Sequence, residues 1–270
     1  MINTYFFIPA SSPKFLSNIN KINADFIVFD LEDAIEKDDI SHAIKNLADL
    51  EIKDNHWVRF PFAGRDKTNL EELKKTGIKN FIVPKVQTGS DFYKIVEQFD
   101  NKEKYAFIIL IENPLLLINL SEFIEQFHPY LKGIGLGSHD YTSEMNMQHD
   151  FDNLYFARNI ILNHAKANKL KAIDIASMKI SDEEELQKEF ISAVRMGFDA
   201  KFFIHPKQLE VFRQTKFFSD SEITEAKEVN EILKNQSDYA AFKYNGKVYE
   251  KPHLLRLKRI KDWAEKYERI

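Results

Sequence analysis

Eight short apolar or aromatic runs alternate along the chain with longer segments whose apolar residues recur three and four positions apart. The runs are Thr4–Ile8, Phe26–Leu31, His56–Phe60, Asn80–Val83, Tyr105–Ile111, Gly133–Leu136, Lys171–Ile175 and Lys201–Ile204. FIVFDL, NFIVP and AFIILI are nearly continuous apolar stretches, the pattern of strands covered on both faces. The segments between them, among them Ser41–Leu50, Ser90–Phe99, Leu115–Phe127, Asn153–Asn168 and Asp182–Met196, carry the period of amphipathic helices. Ser12 before Pro13, and Ser181 before an acidic run, read as helix starts. Gly77 and Gly197 fall just past helical patterns, where a C-cap glycine belongs. This alternation predicts an α/β protein whose residues 1–215 form a closed (β/α)8 TIM barrel. An open, doubly wound sheet is the competing arrangement. Residues 216–270 break the rhythm. They predict a helix over Asp220–Lys234, a hairpin in AFKYNGKVYE with Asn245-Gly246 at its turn, and a basic amphipathic helix over Pro252–Tyr267. Such an extension would pack on the barrel or on a neighbouring subunit.

Composition narrows the chemistry. The 270 residues carry a net charge of -4 and contain no cysteine. Disulfides, thiolate nucleophiles and thiolate metal sites are therefore excluded. A mildly acidic chain has no electrostatic footprint for nucleic acid. The N-terminal MINTYFFIPASSPKF lacks the basic and long apolar regions of a signal peptide, and no apolar run is long enough to span a membrane. The expectation is a cytoplasmic protein with neither nucleic acid nor membrane as a partner.

The polar residues fall in a pattern of their own. In a barrel of this kind the chemistry sits at the carboxyl ends of the strands. Nearly every predicted strand here ends in a polar group: Ser11-Ser12, Asp30 with Glu32 and Asp33, Arg59, Lys85, Glu112-Asn113, Ser138-His139-Asp140, Asp174 and His205. All are expected to converge on one mouth. Carboxylates gathered so densely repel each other unless they share a cation. Glu112 and Asp140, on adjacent strand ends, suit a hard metal that keeps several waters, Mg²⁺ before Mn²⁺. No HExxH spacing points to zinc. Arg59 could grip a carboxylate or enolate with two prongs, or pair with Glu32 or Asp33. Lys85 reads as an ion-pair partner rather than a Schiff-base lysine, and His205 as a barrel-closing hydrogen-bond group.

At these residues the chain resembles the HpcH/HpaI aldolase and citrate lyase β-subunit family. The matching segments are YFFIPASSPKF, FIVFDLEDAI, HWVRF, FIVPKVQ, IILIENP, GIGLGSHDY, KAIDI and GFDAKFFIHPKQLEVF, in family order, with NGKVYEKPHL like the family's C-terminal turn. The resemblance implies that Glu112 and Asp140 hold the metal and that Arg59 binds substrate. It implies that Glu32 and Asp33 form the acidic pair around metal-bound water. Ser12, Asn113 and Ser138 fall at substrate-cradle positions. Glu250 stands where an acidic tail residue of some relatives reaches a neighbour's active site. Homotrimers or hexamers are implied as well.

The chain also departs from the family pattern. Ser12 stands where an arginine is common, Pro61 where an asparagine is, Asn113-Pro114 in place of a Thr-containing loop, and Asn146 in place of a glycine. The metal ligands match the family better than the substrate cradle does. The expected activity is Mg²⁺-dependent aldol or Claisen-type cleavage or condensation of a small 2-oxo or 2-hydroxy acid, or of an acyl-CoA thioester. The base would be metal-bound hydroxide, Asp33, His139 or Glu250. A catalytically silent metabolite-binding or assembly barrel is the rival that the altered loops motivate.

Overall fold

The computed structural model describes residues 2–33, 35, 39–60, 67–234 and 241–266. Pro61 lies outside them. Eight parallel strands close into a barrel in chain order: β1 (Asn3–Pro9), β2 (Phe26–Asp30), β3 (His56–Arg59), β4 (Asn80–Val83), β5 (Ala106–Ile111), β6 (Leu131–Leu136), β7 (Lys171–Asp174) and β8 (Ala200–Phe203). Closure comes from β1 pairing with both β2 and β8, with Tyr5 opposite Phe26 on one side and Phe202 on the other. The open-sheet alternative is thereby removed.

Helices follow the strands: α1 (Pro13–Leu16), α2 (Ile40–Ala48), α3 (Lys67–Lys75), α4 (Gly89–Val96), α5 (Pro114–Ile118), α6 (Leu120–Phe127), α7 (Ser138–Glu144), α8 (Tyr155–Ala167), α9 (Glu183–Met196) and α10 (Pro206–Gln214). Two expectations change, and one helix is new. The helix predicted over Leu115–Phe127 is broken at Asn119, which serves as C-cap of α5 and N-cap of α6. The cap of α9 is Asp182 rather than Ser181, its carboxylate accepting from the Glu185 amide at 3.1 Å. The short α7, mostly polar, carries too little apolar periodicity to be predicted. Gly77 and Gly197 do adopt the left-handed conformation of a C-cap, at φ 87° and 101°.

Strand alternation decides what each side chain faces. Tyr5, Val28, Trp57, Ile82, Ile108, Leu110, Ile173, Ala200 and Phe202 fill the barrel interior. Continuing the alternation from Val28, Trp57 and Leu110 by two residues gives Asp30, Arg59 and Glu112. The interior therefore turns from apolar to charged at the carboxyl rim. On β6 the inward positions are glycines. A Cβ on Gly135 would lie 2.7 Å from the Phe202 ring, so the missing side chain is what lets that ring cross the barrel.

The chain divides into two compact units, Ile2–Phe212 and Arg213–Ile270. The second holds α11 (Asp220–Lys234), a hairpin of β9 (Ala241–Tyr244) and β10 (Lys247–Glu250), and α12 (Lys251–Lys266). Asn245 and Gly246 both have positive φ, 49° and 77°, the geometry of the expected two-residue turn. Phe217 and Phe218 pack edge-on against Trp263, and Tyr249 hydrogen-bonds Glu225.

Candidate active site

A cavity of about 310 Å³ opens at the carboxyl rim of the barrel. Asp30, Asp33, Arg59, Glu112, Ser138, His139 and Asp140 line it, and Phe7, Leu110, Ala176, Met178, Phe202 and Ile204 complete much of its apolar side. Glu112 and Asp140, on neighbouring strand ends, thus share one cavity.

Arg59 leaves the end of β3 and is held by three carboxylates. Its Nε and Nη2 donate to the two oxygens of Asp30 at 2.7 and 2.6 Å. Its Nη1 lies 3.2 Å from Glu32 and 2.9 Å from Asp33. Its face rests over the Phe7 ring at 5.1 Å. Burial opposes the guanidinium charge, but hydrogen bonding to Asp30 and the charges of Glu32 and Asp33 more than restore it, so its pKa is raised. The two-pronged grip foreseen for a substrate is committed to Asp30. The strand pattern carried a signal for this, since Val28 and Asp30 share the inward face of β2, beside Trp57 and Arg59 on β3.

Lys85 joins the same network. Its Nζ lies 3.1 Å from Glu32, which fits the expected ion pair. Burial works against its charge too, yet Glu32, Asp140 and Asp33 raise its pKa. A Schiff-base lysine needs the opposite shift. Lys85 adopts φ 57°, and in that conformation its N–H donates to Glu112 at 2.6 Å.

Glu112 is buried. Burial first, then the charges of Glu32 and Asp140, push its carboxyl up to about 8, against the Lys85 N–H and Arg59. Gly137, between β6 and α7, makes its place: a Cβ there would meet Glu112 Cγ at 2.3 Å. Glu32 is buried as well, and burial raises its pKa; both oxygens face cations at ion-pair distance, but neither receives a well-directed hydrogen bond. These residues fit a divalent cation. Buried and half-satisfied carboxylates crowd one rim, and they offer hard oxygen donors. Among the described residues no three His, Asp or Glu side chains gather closely enough to cage a metal alone. Two carboxylates with water and substrate completing the shell is how Mg²⁺ is usually held.

The remaining expected residues fall differently. Ser138 lines the cavity, its Oγ 3.0 Å from Nε2 of His149, and that ring stacks on His139 with centroids 4.2 Å apart. His149 sits in an irregular loop, and no sequence signal marked it. Asn113 caps α5, accepting from Leu116 N at 2.8 Å and donating to Val86 O at 2.9 Å, so both ends of its amide are engaged within the protein. Ser12 caps α1 without a side-chain bond and does not border the cavity. Glu250 is exposed at the end of β10 in the second unit, its N–H donating to His253.

Two further strand-end residues lie away from the mouth. His205 is exposed and accepts from the Lys207 amide at 3.2 Å. Asp174 points outward, one residue past the inward Ile173. Arg158 donates to it at 2.7 and 2.9 Å, and Lys201 lies 3.4 Å away. Its expected place at the mouth is corrected by the period of two along β7.

A closed parallel barrel with an acidic pair and an arginine at its carboxyl rim has the site of a barrel enzyme where such enzymes carry it. The chain belongs to the HpcH/HpaI aldolase/citrate lyase family, whose profile matches residues 3–206. It is 27% identical to the citrate lyase subunit beta of Leuconostoc mesenteroides subsp. cremoris over 276 residues, 95% of this chain and 91% of that protein. It is 28% identical to a (3S)-malyl-CoA thioesterase of Cereibacter sphaeroides over 214 residues, 76% of this chain and 73% of that one. The protein CitE from Mycobacterium tuberculosis, solved with magnesium, acetoacetate and coenzyme A, superposes with a TM-score of 0.81, covering 97% of this chain and 98% of that one at 23% identity. That likeness shows the shared fold. No helix among the described residues is long and apolar enough to cross a membrane.

Proposed function

We propose that this protein is a Mg²⁺-dependent lyase that cleaves or forms the carbon–carbon bond beside the carbonyl of a small 2-oxo or 2-hydroxy acid or its coenzyme A thioester. The observation that carries the reading is the pair Glu112 and Asp140 in one cavity with Arg59. The relatives add to it: one is a citrate lyase subunit, one a malyl-CoA thioesterase, and a CitE of the same fold was solved with magnesium and coenzyme A.

Glu112 and Asp140 would hold the metal. Bound there, Mg²⁺ would supply Lewis acidity toward the negative charge that develops on the substrate oxygen. Arg59 adds fixed positive charge on the same side. Its orientation is locked by Asp30, so it needs no reorganisation as charge builds. Glu32 and Asp33 set that orientation from the other edge of the guanidinium. Ser138 offers its hydroxyl to the ligand from the rim, backed by His149. The apolar floor keeps water from the reacting carbon. Glu250 remains a candidate acid for the site of a neighbouring copy, in a homotrimer or hexamer.

Glu112→Gln and Asp140→Asn should each abolish Mg²⁺-dependent turnover in lyase and condensation assays while circular dichroism stays that of the parent. Full activity in both variants would remove the reading.

A further inference from the structure

The cavity is two-sided. The ends of β2, β3, β5 and β6 contribute all of its charged groups, along with Leu110 and Leu136, whereas β7, β8 and β1 contribute only Ala176, Met178, Phe202, Ile204 and Phe7. Met178 and Ile204 remain 47% and 38% exposed, so apolar surface extends from the floor to the lip. An apolar wall beside a few polar groups is the lining that seats the apolar part of a small ligand.

Among the described residues, the charges on the opposite side are committed elsewhere. Arg59 is the only cation bordering the cavity among the described residues. Of its five N–H groups, Nε and one on Nη2 serve Asp30, and the two on Nη1 face Glu32 and Asp33. One N–H remains, and a two-pronged grip on a carboxylate needs two. Lys85 is paired with Glu32. The metal, once bound between Glu112 and Asp140, would answer one chelating acid head. A further carboxylate would then face an acidic rim or an apolar wall, and burying an unpaired charge there is costly.

We propose that the part of the substrate beyond its 2-oxo or 2-hydroxy acid head is an uncharged alkyl group seated against Met178, Ile204, Phe7 and Phe202, so that the protein selects alkyl-bearing monocarboxylates over di- and tricarboxylates. This rests on the metal–acid reading of the site given above and names its substrate class.

Two nearly isosteric ligands separate the possibilities. Malate and 2-hydroxy-4-methylpentanoate differ in carrying a carboxylate or an isopropyl group at the same position, and lactate carries the acid head with only a methyl group. Calorimetric titration of the full-length protein in excess Mg²⁺ should show 2-hydroxy-4-methylpentanoate binding at least about tenfold more tightly than malate, the gain expected for burying two or three carbon atoms. Lactate should fall between them. Met178→Arg should reverse the order by giving the second carboxylate a partner. Malate binding the parent protein as tightly as its apolar isostere, or more tightly, overturns the proposal and leaves the metal–acid reading intact. No binding by any of the three, lactate included, overturns both.

Discussion

Two arginines in this barrel make the same bond to the same partner and lead to opposite outcomes. Arg59 grips Asp30 at the end of β2 with contacts of 2.7 and 2.6 Å; Arg158 grips Asp174 at the end of β7 with contacts of 2.7 and 2.9 Å. Each rests on a phenylalanine, Phe7 or Phe151, and each cluster contains a lysine, Lys85 or Lys201. The first cluster faces the barrel interior, where Arg59 keeps 14% of its side chain exposed and unbalanced carboxylates crowd around it. The second lies behind the sheet against α8, with Arg158, Asp174 and Lys201 all sealed from solvent. An inward pair at the rim becomes part of a reactive site. An outward pair becomes a fixed tie between strand and helix. The chemistry of the residues is shared; the face of the strand separates them.

The sharpest way to break the comparison is to remove an aspartate from the sealed cluster. Asp174→Ala leaves two buried cations without their counter-charge and should cost about 3–5 kcal/mol in urea denaturation. Arg59→Lys at the rim should show the reverse profile. It keeps the charge but loses the fork on Asp30, so turnover should fall on the order of a hundredfold while the urea midpoint moves little. A large stability loss for Arg59→Lys, or a small one for Asp174→Ala, would contradict the division of roles. Gly137→Ala probes the rim more gently. Its Cβ must displace Glu112, so Mg²⁺ affinity measured by calorimetry should drop about tenfold, with a modest loss of stability.

The smallest effect is in pH dependence, and it sharpens the contrast because the signs differ. The Glu112 carboxyl is held at about 8 against an ordinary 4.5, so the unfolded chain gives up this proton first. The metal-free fold should therefore lose stability as pH rises through that interval and level off above it. Mg²⁺ must displace the proton, so thermal stabilisation by Mg²⁺ should be slight at acidic pH and grow until about pH 8. Asp174 runs the other way. Burial opposes its charge, but Lys201 and Arg158 outweigh burial and hold its pKa below the ordinary 3.8. Its contribution is complete above that value and is lost only in stronger acid, so it should not vary across the neutral range. Thermal melts of the parent and Glu112→Gln across this range, with and without Mg²⁺, would resolve the two behaviours.

Much of this was readable from local pattern. The eight strand runs, the αL glycines Gly77 and Gly197, the Asn245-Gly246 turn and the Arg59, Glu112 and Asp140 rim are all set by contacts within a few residues along the chain or by position at a strand end. What could not be read was long-range. Asp30 as the partner of Arg59, the Lys85 N–H on Glu112 and the space Gly137 leaves for it each join residues far apart in sequence.

The segments FIVFD and KAID show where the boundary falls. Sequence by itself determined that each is a buried strand ending in an aspartate. Only the closed barrel decided that Asp30 would enter the cavity and Asp174 would turn its back on it. Hydrophobic runs report burial on both sides of a strand without saying which side is the lumen. Pairing with neighbouring strands fixes that choice, and one residue of difference in parity reverses it.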